Sequence, residues 1–349
     1  MIHFECDYAC GAAEPVLQAL LDTNGDQTRG YGEDEHCQEA RELIRQCCAA
    51  PGAGVHFLVG GTQVNMTVIA AALQPYEGAL CASTGHIAVH ETGAVESTGH
   101  KVLTLPHQDG KITGDQIRQA MQSHLEDDSF EHMVRPGLVY LSHPTELGTL
   151  YTRQELEDIS AACHEYGLPL YLDGARLLYA LAAEPEVDLP FLARVCDAFT
   201  IGGTKAGLLF GEALVITRPE LNRNFRYHIK QRGGMLAKGR LLGVQFKALL
   251  KDDACLNLAD RANGMAQLLK NTCVEAGCSL WVDTPANQIF PILPNGVLEK
   301  LKDRYCWSFM GAMENDCSAV RFCTSVCTRL EDVLALQQDL QRAFAEKDA

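Results

Sequence analysis

Between residues 55 and 217, short apolar runs recur at near-regular intervals, and stretches with helical periodicity lie between most of them. The runs VHFLV (55–59), GALCAS (78–83), HKVLTL (100–105), GLVYLS (137–142), LPLYLD (168–173), AFTIGG (198–203) and EALVIT (212–217) read as buried strands. The intervening segments DQIRQAMQSHL and RQELEDISAACHEYG read as helices, the second opening after Thr152 as its N-cap. Ala40, Leu43, Ile44, Cys47 and Cys48 likewise fall on one helical face. Alternation of this kind predicts a mostly parallel sheet sandwiched between helices. From about residue 250 the pattern changes. A long helix (roughly 258–276) precedes SLWVD, QIFPIL, RYCWSFM and AVRFCTS, and a closing helix starts near 329. Strands crowded together without a helix between them predict antiparallel pairing. The expected fold is therefore an α/β three-layer sandwich with a smaller α+β C-terminal domain. Residues 1–25 form an N-terminal segment, 26–250 the large domain and 251–349 the small one.

A chain of 349 residues is too long for one simple core, which agrees with that division. The formal net charge of −16 argues against a nucleic-acid or anionic-membrane partner, since both reward basic surface. Met1 runs into IHFECDYACG without a basic flank and a long apolar run, so no signal peptide is expected. No run approaches the roughly 20 apolar residues of a membrane span, and the expected location is cytoplasmic. The 15 cysteines are scattered and include no CxxC pair, so they read as small buried apolar residues in a reducing compartment. Cys6, Cys10, Cys37, Cys323 and Cys327 lack the paired spacing of a zinc site, and no metal is expected.

Two strand ends carry the chemistry. LPLYLD ends in Asp173 and AFTIGG leads into Thr204-Lys205, so a parallel sheet delivers an acid and an amine to one edge. An aspartate that can pair with a pyridinium nitrogen and a lysine that can form a Schiff base are the minimum equipment for pyridoxal phosphate chemistry. Gly60-Gly61-Thr62 joins a strand to a helix, where unpaired amides and the helix dipole favour a phosphate. Thr204 is a second candidate phosphate donor. His86, in a loop before a short helix, suits a ring stacked over the cofactor, with a surface or core hydrogen-bonding role as the competing reading. His86 and His90 are also spaced i, i+4 beside Glu91, but a metal would need a third ligand that nothing singles out. Arg176 follows Asp173 in DGAR. Arg321 lies within the apolar run AVRFCTS, and suits either a substrate carboxylate or an ion pair between domains.

The order GGTQVNM, GHIAVHETG, HPTELGTLY, LYLDGAR, GGTK and RFCTS resembles the low-specificity L-threonine aldolases of the β-eliminating lyase group. These are pyridoxal-phosphate enzymes of the aspartate-aminotransferase-like fold type I, and the likeness runs from about residue 5 to about residue 330. The resemblance implies that Lys205 holds the cofactor, Asp173 pairs with its ring nitrogen and His86 stacks on it. It makes Gly61 and Thr62 phosphate ligands, and Arg176 and Arg321 a clamp on the substrate carboxylate. FECDY looks like the family's Ser-Asp segment, with Cys6 in place of serine and Asp7 near the substrate. TRGYGED looks like an interface loop from which Tyr31 reaches a neighbouring site. Three departures stand out. HPTEL places Glu146 where a histidine is usual, the lysine loop reads GGTKAGLLFG, and RGGMLAKGR has Leu236 where an arginine is common, with Arg232 and Lys238 nearby to substitute.

The implied reaction is cleavage of Cα–Cβ in L-threonine or L-allo-threonine to glycine and acetaldehyde. The rivals are β-elimination from a substituted, including aromatic, L-amino acid, and a non-catalytic protein that keeps the fold for binding. The resemblance also implies a homodimer or homotetramer with shared sites.

Overall fold

The computed structural model describes residues 1–251 and 254–345; the last four residues of the expected small domain, 346–349, lie outside the described residues. Its strands, in chain order, are β1 (Ile2–His3), β2 (Gly54–Leu58), β3 (Glu77–Ala82), β4 (Lys101–Leu105), β5 (Arg135–Ser142), β6 (Leu170–Asp173), β7 (Ala198–Gly202), β8 (Glu212–Ile216), β9 (Leu280–Val282), β10 (Gln288–Pro294), β11 (Tyr305–Cys306), β12 (Ser308–Met313) and β13 (Cys317–Cys323). Seven of them form one sheet in the order β2-β8-β7-β6-β5-β3-β4. Every pairing from β4 to β7 is parallel, whereas β8 runs antiparallel to both its neighbours, β7 and β2.

All residues of β3, β6, β7 and β8 are buried, which is why they read as continuous apolar runs rather than alternating ones. The period of two survives in the packing. Leu80, Val139, Leu141, Leu172, Phe199, Ile201 and Val215 enter the core on one face of the sheet. Ala79, Cys81, Leu138, Tyr140, Tyr171, Ala198 and Leu214 enter the core on the other. Asp173 and Glu212 therefore project from the second face, in phase with Tyr171 and Leu214.

Helices cover both faces, and their ends follow local rules. Thr152 caps Arg153–Glu165 in a capping box with Glu155, and Thr113 does the same for Gly114–Leu125 with Gln116. Asp34 caps Glu35–Cys47, whose buried stripe is Cys37, Ala40 and Ile44, with Cys48 just beyond. The helix Gly61–Ala72 starts without a side-chain cap.

The second sheet, β12-β13-β10-β9, is antiparallel throughout and packs with Ala254–Glu275 and Leu330–Ala345 into a separate core. The N-terminal segment spans both bodies: Phe4 belongs to this second core and Val16 to the first. Two cysteines depart from the expected reduced state. Cys10 and Cys327 are joined in a disulfide that ties the N-terminal segment to the loop after β13. Sequence reading missed it because the partners lie 317 residues apart and come together only when the segment crosses to the small sheet. Among the described residues no helix is long and apolar enough to cross a membrane.

Candidate active site

The parallel strands end at one edge of the large sheet, and the side chains they present there line a cavity of about 200 Å³. Gly60, Gly61 and Thr62 lie at its wall after β2, Ser142 at the end of β5 with Glu146 beyond it, Asp173 at the end of β6 with Arg176 beyond it, and Thr204 and Lys205 after β7. Glu212 joins them because an antiparallel strand begins where its parallel neighbours end. The approach of β6 and β7 depends on glycine. A Cβ on Gly174 would collide with the Thr200 carbonyl, and one on Gly202 with the Ala175 carbonyl, so bulkier residues would push Asp173 away from the lysine loop.

Asp173 is buried and held from three directions. Asn65 Nδ2 and the Tyr140 hydroxyl each donate to Oδ2 at 2.8 Å, and the Ala175 amide donates to Oδ1 at 3.0 Å. One lone pair of Oδ1 remains for a donor in the cavity. Asn65 also donates to Glu91 Oε1 at 2.7 Å and accepts from the Tyr171 hydroxyl at 2.6 Å. Glu91 Oε1 in turn holds His86 Nδ1 at 2.8 Å. One buried asparagine thus couples the Asp173 carboxylate to the His86 ring and fixes the ring's orientation. Burial works against a charged His86, but the Glu91 hydrogen bond and the charges of Asp173 and Glu91 outweigh it, so its pKa rises above the ordinary value. His90 stands 5.7 Å away, centroid to centroid, and the two histidines share no metal-sized cluster with Glu91.

Lys205 donates no hydrogen bond to the described residues. Burial and the neighbouring Arg176 lower its pKa, while Asp7, Glu212 and Asp173 pull it up. Glu146 Oε1 accepts from the His86 amide at 2.7 Å and from the Ser142 hydroxyl at 2.5 Å. Burial raises its pKa, and those hydrogen bonds only partly offset the effect.

Arg176 makes a bidentate pair with Asp7, Nε to Oδ2 at 2.6 Å and Nη2 to Oδ1 at 3.0 Å, leaving Nη1 without a partner in that pair. Asp7 therefore sits behind Arg176, where Asn287 also donates to it at 3.0 Å, and does not line the cavity. Burial would raise the Asp7 pKa, but the charges of Arg176 and Lys205 and the two hydrogen-bond partners bring it down to about 2. Arg321 also stands outside the cavity lining. Its Nη2 donates to the Glu5 carbonyl at 3.2 Å and the Ser308 hydroxyl at 3.1 Å, and its Nε is buried without a partner. Tyr31 is exposed, has a φ of 61°, and lies under Lys230 Nζ at 5.0 Å from its ring centre, away from its own chain's cavity.

Sequence reading did not single out Asn65, Tyr140, Ser142 or Glu212, and met Glu91 as the neighbour of the His86–His90 pair. The available signal was a polar group inside an apolar stretch, which must find a partner when buried.

These residues fit pyridoxal phosphate on structural grounds alone. A Cβ on Gly60 or Gly61 would meet nothing within 4 Å, so the uncapped first amides of Gly61–Ala72 open onto free space that an anion such as a phosphate can enter. Across the cavity are an amine without a hydrogen-bond acceptor and a carboxylate with a spare lone pair.

Comparison with known proteins points the same way. The family model described as beta-eliminating lyase matches residues 11–293. The chain is 34% identical over 344 residues to the low specificity L-threonine aldolase of Pseudomonas aeruginosa, covering 97% of this chain and 96% of that protein. It is 30% identical over 282 residues to the corresponding Saccharomyces cerevisiae protein, covering 80% and 70% of the two chains. Among solved structures, a threonine aldolase of Leishmania major superposes with a TM-score of 0.95 at 43% identity, over 99% of this chain and 100% of that one. Aspartate aminotransferase of Thermus thermophilus, at TM-score 0.72 and 14% identity over 98% and 91% of the chains, shares the fold.

Proposed function

The chain belongs to the beta-eliminating lyase family, and on that premise we propose that it cleaves the Cα–Cβ bond of L-threonine or L-allo-threonine, releasing glycine and acetaldehyde. The observation that carries this reading is the convergence on one cavity of Lys205, the anchored Asp173, the oriented His86 and the open helix start at Gly61. Pyridoxal phosphate supplies an aldehyde that an amine can engage and a ring that accepts the electrons of the breaking bond.

The protein's share is binding, orientation and proton handling. Lys205 is the amine that holds the cofactor covalently, and its lowered pKa favours the neutral, nucleophilic form. Asp173 would pair with the ring nitrogen, and its own donors hold its carboxylate stationary. His86 would stack on the cofactor ring, its own orientation fixed by the hydrogen bond to Glu91. Gly61 and Thr62 would seat the phosphate, whereas the Thr204 hydroxyl and amide are already donated to Glu212 Oε1 and the Gly211 carbonyl. Arg176 Nη1 and Arg321, whose buried Nε has no partner, would hold the substrate carboxylate and so select which bond at Cα breaks. Glu146 takes the proton of the β-hydroxyl. Burial raises it toward the range in which a carboxylate is an effective base near neutral pH.

The large cofactor-holding domain of residues 26–250, the small domain of 251–349 and the connecting segment 1–25 follow from the same reading. The protein is a dimer or tetramer on this reading, because the exposed Tyr31 misses its own cavity and can serve a neighbour's, and the cytoplasmic location rests on the family resemblance alone. Release of glycine and acetaldehyde by the cofactor-loaded protein, abolished in Lys205→Ala, is the expected result. A cofactor bound through Lys205 with no release from either threonine epimer would refute the assignment.

A further inference from the structure

Glu212 has no part in the scheme above, yet it sits at its centre. It is the first residue of β8 and pairs in register with Leu58 at the end of β2 on one side and with Gly202 at the end of β7 on the other. The strand on the first side leads into the Gly60-Gly61-Thr62 turn, and the strand on the second into Thr204 and Lys205. A carboxyl group is therefore placed between the expected phosphate seat and the amine, with both lining the same cavity. Only 4% of the residue is exposed. Thr204 Oγ1 donates to Oε1 at 2.9 Å, whereas Oε2 is buried with no partner.

An orphaned carboxylate oxygen in such a place is costly, and beside a phosphate it would also suffer like-charge repulsion. A protonated carboxyl relieves both. Lys205 has the complementary difficulty, since an ammonium cannot attack an aldehyde. We propose that Glu212 is a positioning residue that shares one proton with Lys205 and takes it over when the cofactor enters. The two groups line one cavity without a hydrogen bond or ion pair between them, so the proton travels by way of solvent in the cavity: an N–H bond of the ammonium breaks, an O–H bond forms on Oε2, and the nitrogen keeps the electron pair. One transfer yields a neutral amine and a neutral acid, with no change in the net charge of the site. The proposal rests on the reading of Lys205 as the cofactor-binding amine.

Burial raises the affinity of Glu212 for a proton, against the pull of Lys205 and the Thr204 hydrogen bond. Burial and Arg176 lower that of Lys205. The other charges acting on the pair are Asp173 on β6 and Asp7 in the N-terminal segment, and His86, which lines the same cavity, also feels Lys205. All of these remain in the variants below.

The test uses cofactor-free full-length protein and pyridoxal, which lacks the phosphate, with hydride trapping and peptide mass spectrometry to count modification at Lys205. Two groups sharing one proton titrate as a pair. The neutral-amine fraction is then level between the two macroscopic steps, because the partition of the proton, not the pH, sets it. The wild type is expected to give a two-step profile of capture rate against pH. Glu212→Gln is expected to give a single step, falling about tenfold per pH unit below its midpoint. Superimposable profiles would overturn the proposal and leave the cofactor reading intact, whereas no modification of Lys205 at any pH would sink the cofactor reading itself. A second readout needs no folded variant. The infrared difference spectrum between cofactor-loaded and cofactor-free wild type should gain a protonated-carboxyl band, and a spectrum without one would also overturn the proposal.

Discussion

The pair between Asp7 and Arg176 offers the most exposed quantitative prediction. Asp7 is fully enclosed, and Arg176 has a side chain only 16% exposed. Replacing Asp7 by Asn preserves shape and one acceptor oxygen but leaves a guanidinium buried without its counter-charge. Breaking a buried pair in this way costs about 3–5 kcal/mol. For 349 residues, the entropy of unfolding near 60 °C is on the order of 0.7 kcal/mol per kelvin, so the loss amounts to about 4–7 °C in Tm. Acid supplies an internal control. The Asp7 pKa drops from 3.8 to about 2 in the folded chain. A depressed carboxylate pKa stabilises the fold above the unfolded value, and that contribution disappears as pH falls from about 4 to about 2. About 2 kcal/mol of the difference between wild type and Asp7→Asn should vanish across that interval. Thermal and urea unfolding of both proteins at neutral pH and near pH 2 measure this directly. A Tm difference below about 1 °C at neutral pH, or one that does not narrow in acid, would show that the pair is not a stabilising contact and would refute the electrostatic account.

Glu146→Gln should lower kcat for threonine cleavage by about 10²- to 10⁴-fold while cofactor absorbance is retained. The acid limb of the wild-type pH–rate profile, displaced above the ordinary carboxyl range by burial, should be missing from the variant; an unchanged kcat would move the base elsewhere. Asn65→Ala removes three hydrogen bonds at once, two of them to carboxylates, and should cost about 3–5 kcal/mol in urea unfolding. A cost below about 1 kcal/mol would mean that Glu91 and Asp173 do not depend on it. A non-reducing digest should yield a peptide linking Cys10 to Cys327, and reduction should destabilise the fold by up to about 5 kcal/mol, given the length of the closed loop. Free thiols at both positions in protein purified with thiols blocked would contradict the pairing.

The layers of the fold were legible because parallel strands buried on both faces leave uninterrupted apolar runs, and because the helices between them carry their own start signals, as Thr152 does for Arg153–Glu165. The residues that end those strands were legible for the same reason. Asp173 and Lys205 follow their apolar runs directly, and strand direction alone sends both to one edge. What lay beyond reading was whatever depends on which elements become neighbours. Asp7 meets Arg176 across 169 positions, and nothing local to FECDY specifies that partner. Asn65 sits on a helix whose other buried residues, Thr67 apart, are apolar, so its polarity was visible but its three partners, on β6 and in the loop after His86, were not.

Glu212 shows the limit most sharply. Its position before ALVI marks it as the first residue of a buried strand, and the period of two even gives the face from which it projects. If β8 were parallel, like its neighbours toward β4, Glu212 would lie at the far edge of the sheet, remote from the cofactor site. The single reversal of direction between β7 and β8 moves it to the catalytic edge. The same reversal places it between the phosphate turn and the lysine, where an acid is tolerable only if it can hold a proton. Strand direction, a property of the whole sheet, thus turns a surface-edge glutamate into a partner for Lys205, and the chemistry assigned to it follows from topology before it follows from residue type.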